Sequence, residues 1–161
     1  MGQIQWSVDT GSIGPALEGK QNAIIAALTQ RTTAINEALQ AKVTGEKLSG
    51  QVLQQRTGKT IQSVRVIPTE NDGETITGGV QAGGGPAFYF KFQEEGTAPY
   101  TIEPTDPKGF LAFMIGGKQV FAKKVNHPGL KARHPMQSTL DESRDAILES
   151  LQDAASEAAA E

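Results

Sequence analysis

Length, composition and charge restrict the kind of protein that this chain encodes. Its 161 residues and 17.1 kDa fit one compact domain, and we expect a single domain over residues 1–161. The absence of cysteine excludes disulfide frameworks, thiolate zinc sites and cysteine nucleophiles. No apolar run reaches the roughly 18 to 20 residues that cross a bilayer, so the sequence indicates no membrane partner.

The formal net charge of −3 is unevenly distributed. Residues 141–161 carry seven acidic residues against one arginine, a net charge of −6. A pI of about 5.5 does not favour a nucleic-acid-binding protein, which normally has a basic surface. The acidic segment has two interpretations, a solvated helix face or a channel lining that repels DNA. A small basic cluster precedes it: Lys118, Lys123, Lys124, Lys131 and Arg133.

The N-terminal part of the chain predicts a short extended segment and one long helix. Ile4, Trp6 and Val8 alternate like a strand, and residues 1–14 also suit an arm that docks on another subunit. Within residues 15–42 the apolar side chains recur at helical spacing, which predicts an amphipathic helix.

The middle of the chain predicts a loop and a β-hairpin. Residues 46–60 have no clear period and suit a loop with room for one short helix. Residues 63–69 and 75–81 alternate on either side of an Asn-Asp-Gly turn at 71–73, which predicts a hairpin.

Residues 87–93 predict a further strand. Phe88, Phe90 and Phe92 alternate with polar or amphipathic residues, so we expect all three rings on one face. We expect that face to pack in the core against the first helix, on the side that carries Ile24, Leu28 and Ile35.

The C-terminal half predicts an exposed loop, a second hairpin and a final helix. Residues 97–109 contain three prolines and suit a loop, whereas the Gly-Gly pair at 116–117 separates two apolar runs and predicts a hairpin. After a loop at 126–135, a helix begins near Pro135. We expect residues 152–161 to form a frayed acidic tail. The apolar face of that helix contains Met136, Leu140, Ile147, Leu148 and Leu151.

This order of elements predicts an α+β domain. We expect an antiparallel β-sheet with a long N-terminal helix and a C-terminal helix packed on it.

No pattern in the sequence indicates an active site, so we expect no enzyme, no catalytic residue, no cofactor and no metal. The glycine-rich residues 82–86 lack the GKS or GKT ending of a phosphate-binding loop. Glu94 and Glu95 are neighbours on the expected strand and would point to opposite faces, which weakens a paired-carboxylate mechanism. His127 and His134 have no third nitrogen or thiolate ligand.

Two alternatives to an assembly protein remain open at this point. A small metal-dependent hydrolase would use Glu95 and His127. A nucleic-acid-binding module would use the basic residues Lys123, Lys124, Lys131 and Arg133.

Short motifs resemble one known family. They are FQEEGT at 92–97 with Pro-Tyr at 99–100, FLAF at 110–113, VFAKKV at 120–125, HPG at 127–129 and, upstream, RTGKTIQS at 56–63. In this order and spacing the motifs resemble the neck and tail-completion family of long-tailed bacteriophages.

The resemblance implies a virion structural protein that forms a ring at the head-to-tail junction. Its expected partners are further copies of itself, commonly six, together with the head connector or adaptor and the tail tube proteins. It would assemble in the host cytoplasm, with DNA only as a passenger through the channel. The sister role of tail terminator, which caps the tail tube, is an alternative. The residues expected to make contacts between proteins are Trp6, Thr97, Pro99, Tyr100, Gly116, Gly117, His127 and Pro128.

Overall fold

The structure is a computed structural model that describes residues 2–10, 20–51 and 58–160. Its helices are α1 (Gln21–Lys42), α2 (Lys59–Gln62), α3 (Phe90–Glu95) and α4 (Pro135–Ala160). Its strands are β1 (Gly2–Asp9), β2 (Arg65–Asn71), β3 (Thr75–Ala82), β4 (Tyr100–Ile102), β5 (Leu111–Ile115), β6 (Lys118–Ala122) and β7 (Val125–His127). The fold is α+β with antiparallel strand pairs, and the prediction of fold class is confirmed.

The largest sheet has three antiparallel strands in the order β1-β3-β2. Strand β3 lies in the centre, and its Val80 pairs with Ile4 of β1 on one side and with Val66 of β2 on the other. The pairing of β2 shifts between Ile67 and Glu70, around Pro68. Proline has no N–H to donate to a ladder, so it is tolerated in this edge strand at the irregularity.

Helices α1 and α4 bury the apolar side of this sheet. Helix α1 packs on β2 and β3, and α4 packs along α1 and reaches β1. One core cluster joins the sheet to the middle of α1 and the start of α4: Ile4, Ile35, Leu39, Val43, Leu48, Val64, Val80, Ala82, Phe90 and Met136. A second cluster lies at the other end of the helix pair: Ile24, Leu28, Ile76 and Ala158.

Two adjacent glycines in β3 permit this close packing. A Cβ atom at Gly78 would collide with the side chain of Asn36 on α1, and one at Gly79 would collide with the backbone of Ile4. The side chain of Asn36 is fully buried and accepts a hydrogen bond of 3.1 Å from the indole nitrogen of Trp6. The helix therefore lies directly on the backbone of the central strand.

The two predicted hairpins and the two long helices are present in the structure. Strands β2 and β3 flank the turn at 71–73, and β5 and β6 flank Gly116 and Gly117. The first helix is described from Gln21, so its predicted start at residues 15–20 lies largely outside the described residues. Beyond Lys42 the chain continues as a π-helical segment, Val43–Gln51, which is interrupted at Gly50 by a non-helical φ of 118°. The sequence predicted a loop with room for one short helix from residue 46.

The prediction of a strand at residues 87–93 is wrong. The segment forms a single 3-10 turn, Gly85–Ala87, and then helix α3. Only Phe90 enters the core, with 1% of its surface exposed, whereas Phe88 is 51% exposed. The three glycines before Pro86 all have positive φ angles, so they turn the chain away from the sheet before the first Phe.

Both chain ends are more firmly packed than the sequence indicated. Residues 2–9 form an edge strand of the molecule's own sheet, so the described part of the predicted N-terminal arm does not extend away. The predicted frayed tail at 152–161 is helical through Ala160, and Ala154 and Ala158 are buried against α1. The small side chain of alanine lets two helices approach closely. The acidic residues of this segment gave no indication of that packing.

None of the described helices combines the length and the hydrophobicity that a membrane-spanning segment requires.

Candidate interaction surfaces

The region after α3 brings five of the predicted contact residues together. Strands β4 and β7 pair antiparallel, with Tyr100 opposite His127. Their rings stack with centroids 4.8 Å apart. Nδ1 of His127 accepts a hydrogen bond of 3.0 Å from the backbone N–H of Gly129. The loop regions 97–109 and 126–135 therefore contain a small two-stranded ribbon that the sequence did not predict.

Thr97 fastens the base of this ribbon. Its backbone N–H donates to the carbonyl of Leu130 over 2.8 Å, and its hydroxyl accepts from the N–H of Leu130 over 2.9 Å. Gly129 has a φ of 86°, and a Cβ there would collide with the backbone of Thr97 and Ala98. Pro99 and Pro128 lie next to these contacts in sequence and are exposed. Thr97 and His127 thus have a local structural role, and their predicted role in contacts between proteins stays a prediction.

The β5–β6 hairpin is the most exposed apolar element of the described chain. Gly116 and Gly117 form its tip with φ angles of 56° and 80°, the left-handed values that a two-residue hairpin turn requires. Among the described residues, β5 and β6 pack extensively only against each other. No described helix packs extensively on the hairpin.

We call one side of the hairpin the Phe121 face. It consists of Ala112, Met114, Gln119 and Phe121, all of which are exposed. Cross-strand pairs of an antiparallel ladder share a side, so Ala112 with Phe121 and Met114 with Gln119 point the same way. Met114 is 65% exposed and Phe121 is 62% exposed. Phe110 extends this face, and the ammonium group of Lys123 lies 5.6 Å from the centre of its ring. The opposite side is half-buried at Phe113 and Val120.

All charged residues of the hairpin segment are basic. Residues 110–125 contain three lysines and no acidic residue. Lys124 approaches Glu103 at 3.6 Å, whereas Lys118 forms no ion pair within the described part of the chain. The hairpin is therefore an apolar ribbon with a positive charge at its tip and along its side.

Trp6 does not belong to this surface. Its ring packs on the core cluster, and its indole nitrogen is bonded to Asn36. The only tryptophan of the chain thus fastens β1 to α1, and the structure gives no support to a role for Trp6 in binding a neighbouring subunit.

The carboxylates considered for catalysis have structural partners. Glu94 accepts hydrogen bonds from the backbone N–H groups of Met136 and Gln137, at 2.9 Å and 3.0 Å. A carboxylate at this position satisfies two free donors and complements the positive end of the dipole of α4. Glu95 lies 3.7 Å from Lys91, one helical turn earlier. The described residues contain no group of three metal-binding side chains.

A cleft of about 360 Å³ lies beside the N-terminus of α4. It is lined mostly by polar side chains and backbone, from Gly2, Gln3, Ile4, Gln5, Glu94, Glu95, Met136, Gln137 and Leu140. Neither histidine of the chain lines it.

Helix α4 has several acidic residues on its solvent-exposed side. Glu142 forms ion pairs with Lys47 and, at 3.3 Å, with Lys42. Lys47 is buried, and its hydrogen bond, followed by that of Lys42, lowers the pKa of Glu142 below its ordinary value. Asp145 and Glu149 lie on the solvent side and form no ion pair with the described residues.

Sequence comparison identifies one family that matches part of the chain. A family model described as bacterial-like globin matches residues 105–161. This segment is less than half of the chain and contains β5, β6, β7 and α4. Comparison with curated proteins and with solved structures returns no match.

This finding overturns the assignment to the phage neck and tail-completion family. The function at the head-to-tail junction, the tail-terminator alternative and the location in a virion are wrong for the same reason. The motifs behind the resemblance are short, and two of them, at 110–113 and 120–125, lie largely in a β-hairpin. A glycine-linked apolar hairpin occurs in many unrelated folds, so these motifs had little discriminating power.

The described residues do not fit the haem group that a globin binds. The apolar side of α4 is occupied by its contacts with α1 and the sheet. His127 is held by its stacking on Tyr100 and its bond to Gly129, and His134 is exposed on the chain segment that turns into α4. The described residues therefore support no function through haem.

Sequence reasoning predicted the hairpin and its glycine tip but missed its exposed apolar residues. Apolar residues occupy both sides of β5 and most of β6. A half-buried strand normally alternates apolar and polar residues, so the lack of alternation was the available signal.

Proposed function

We propose that this protein is a non-catalytic assembly subunit that associates with further copies of itself through the Phe121 face of the β5–β6 hairpin. The observation that carries the proposal is the hairpin itself, which exposes the apolar residues of its Phe121 face and packs extensively on no other described element.

An isolated two-stranded hairpin is at best marginally stable in water. Full burial of a side chain the size of Phe or Met contributes about 1.5 to 3 kcal/mol relative to exposure. Met114 and Phe121 forgo most of this gain in the single chain because more than half of each remains exposed. A partner that covers the Phe121 face therefore stabilises the hairpin and removes an aggregation-prone surface at the same time.

A second copy of the chain is the partner that this arrangement favours. Burial of an exposed apolar surface by a partner is favourable. Another copy of the chain is available as that partner wherever the protein itself is present. The ring of six subunits was implied only by the phage resemblance, and that number is not retained.

Sedimentation velocity at micromolar concentrations tests the proposal. We expect the wild-type protein to sediment as a multiple of 17.1 kDa. Because Met114 and Phe121 share one face, the double variant Met114→Ser with Phe121→Ser should sediment as a monomer. Its far-UV circular dichroism should remain that of a folded protein, since the hairpin does not contribute to the core clusters.

Phe88→Ser is the control, because Phe88 is an aromatic residue outside the hairpin that is also more than half exposed. This variant should retain the wild-type oligomer. A wild-type protein that stays monomeric throughout the concentration range would contradict the proposal.

A further inference from the structure

The outer edge of β1 has unpaired backbone groups. Strand β1 pairs with β3 on one side, and no other described strand pairs with it. The backbone N–H of Thr10 donates to the carbonyl of Glu74, which continues the register of this pair by one residue. Because the direction of backbone groups alternates along a strand, those of Gln3, Gln5 and Ser7 point away from β3. Among the described residues these groups have no hydrogen-bond partner.

The two edges of the three-stranded sheet differ in their protection against a further strand. Natural edge strands are commonly blocked by a proline, a lysine or a bulge. Strand β2 has Pro68 and a shift in its register. Strand β1 contains neither proline nor lysine, and its eight residues pair with β3 without a shift. The edge of β1 is therefore able to pair with one more strand.

Helix α4 extends past this edge and forms a second wall. Helix α1 packs on β2 and β3, whereas α4 packs on β1. Neighbouring strands lie about 4.8 Å apart and packed helices about 8 to 10 Å apart, so a helix beside α1 is centred beyond β1. On α4, Leu140, Ile147 and Leu151 pack against the first core cluster but remain only half-buried. A strand added beside β1 would lie under α4 and cover these side chains further.

The cleft beside the start of α4 lies between these two walls. Residues 2–5 of β1 line one side of it, and Gln137 and Leu140 of α4 line the other. Its volume of about 360 Å³ is within the range of ligand-binding pockets. The structure therefore already contains space for part of an added strand along the first half of β1.

The charged residues that line the cleft are acidic. They are Glu94 and Glu95, and no basic residue is in the lining. Both oxygens of Glu94 accept hydrogen bonds from α4, whereas the side chain of Glu95 is 59% exposed and approaches Lys91 at 3.7 Å. Glu95 is therefore available to a lysine or arginine of a bound segment.

We infer that the groove between β1 and α4 binds an extended segment of another protein as a fourth, antiparallel strand. Residues that pair with Gln3 and Gln5 point to solvent as those two side chains do, because paired residues share a face of the sheet. The residues between them point toward α4 and are apolar. A basic residue at one end of the segment pairs with Glu95. Addition of a strand to a free sheet edge is an established mode of peptide recognition.

A second copy of the chain does not fit the groove through its own β1. Antiparallel pairing of two β1 strands places both α4 helices on one face of the joined sheet, and each extends past its own edge into the position of the other. The β5–β6 hairpin of a second copy is assigned to self-association by the proposed function. The partner is therefore a different protein, and this inference is independent of self-association.

A synthetic peptide tests the groove. The probe is fluorescently labelled acetyl-Lys-Thr-Val-Thr-Val-Thr-amide, whose threonines pair with β1 and whose valines face α4. Fluorescence anisotropy should show saturable binding to the wild-type protein, with a dissociation constant below about 1 mM. N-methylation of two threonine amides removes N–H groups that face β1 and should abolish this binding. N-methylation of the two valine amides is the matched control and should leave binding intact.

Gln5→Pro tests the same contact from the side of the protein. The N–H of Gln5 points away from β3, so proline at this position leaves the ladder of the sheet in place and removes only a donor at the edge. Peptide binding should weaken at least about tenfold. Gln5→Thr keeps the N–H and should bind like the wild type. Circular dichroism shows whether both variants are folded, and the N-methylated peptides test the contact without any substitution.

A charge exchange tests the position of the basic residue. Glu95→Lys should weaken binding of the lysine peptide about fivefold, the effect of one exposed ion pair. A peptide with glutamate in place of its lysine should bind this variant better than it binds the wild type. If neither peptide distinguishes the two proteins, the assignment of Glu95 is wrong.

The outcomes separate this inference from the proposed function. The Met114→Ser, Phe121→Ser double variant should still bind the peptide, and Gln5→Pro should still self-associate. Absence of peptide binding at about 1 mM overturns the groove, and so does equal binding of the two N-methylated peptides. A wild-type protein that binds the peptide but stays monomeric supports the groove and contradicts only the proposed function.

Discussion

Two antiparallel hairpins in this molecule have opposite environments. The β2–β3 hairpin lies in a three-stranded sheet, and Ile76 and Val80 of β3 are completely buried by the helices. The β5–β6 hairpin has the same type of pairing and a comparably apolar sequence, yet Met114 and Phe121 face solvent. The two hairpins differ in what packs on them: α1 packs on the first hairpin, whereas no described element packs extensively on the second.

The comparison shows that strand pairing alone does not complete a β-sheet. Backbone hydrogen bonds form in both hairpins, but the main stabilisation of a sheet comes from burial of one face. We call the three-stranded sheet with α1, α3 and α4 the body. The body buries its own apolar face, whereas one side of the β5–β6 hairpin stays exposed in the single chain. Substitutions in the body should therefore change folding stability, and substitutions on the hairpin should change association.

The largest expected loss of stability comes from Phe90→Ala. The ring of Phe90 is almost completely buried between Gly2 and the first core cluster. Removal of a buried Phe side chain costs about 3 to 5 kcal/mol of the free energy of unfolding. Urea denaturation measures this loss. Phe88→Ala is the matched control, and a similar loss there would show that Phe88 is packed in the core as well.

A smaller loss is expected when the close approach within the sheet is disturbed. The added methyl group of Gly79→Ala would collide with the backbone of Ile4, which cannot move without separating β1 from β3. Overpacking of this kind costs about 1 to 3 kcal/mol. Gly45→Ala provides the control, because a Cβ there meets nothing within 4 Å and an alanine favours the helical segment. Equal melting temperatures for the two variants would contradict this description of β3.

Loss of the cap on α4 should have a moderate effect. Glu94→Gln removes the negative charge that faces the N-terminus of α4, and the free energy of unfolding should fall by about 1 kcal/mol. Glu95→Gln removes the same charge from the exposed pair with Lys91, and its effect should be smaller. Chemical denaturation of both variants measures the difference. If Glu95→Gln is the more damaging change, the assignment of the cap is wrong.

The pairing of Glu142 should make the stability of the body depend on pH. Lys47 and Lys42 lower the pKa of Glu142, so the unfolded chain takes up the proton at a higher pH than the folded protein does. The contribution of this pair is therefore complete above the unfolded pKa and disappears as the pH falls through the folded value. The difference in melting temperature between wild type and Glu142→Gln should be largest near neutral pH and should shrink toward pH 3. A constant difference over this range would contradict the pairing.

The sequence predicted those parts of the fold that local patterns determine. The Gly-Gly tip and the Asn-Asp-Gly turn marked both large hairpins, and helical spacing marked α1 and α4. The segment around Phe90 was misassigned because alternation over five residues also suits a short helix with one buried ring. Its conformation is decided by contacts distant in sequence, with Gly2 and with the start of α4.

The candidate site was predicted in part. The glycine tip of the hairpin and the pairing partners Tyr100 and His127 were named from the sequence, but their stacking depends on the register of β4 and β7. The exposure of Met114 and Phe121 depends on the absence of a covering helix among the described residues, which no local pattern encodes. The hydrogen bond between Trp6 and the buried Asn36, thirty positions away, likewise depends on tertiary packing.

Hydrogen–deuterium exchange at two protein concentrations tests the central claim most directly. The amides of β3 belong to the body and should be protected equally in dilute and concentrated solution. The amides of β5 and β6 should exchange rapidly in dilute solution and become protected when association covers the hairpin. Equal protection of β5 and β6 at both concentrations, in a protein that remains monomeric, would contradict the account.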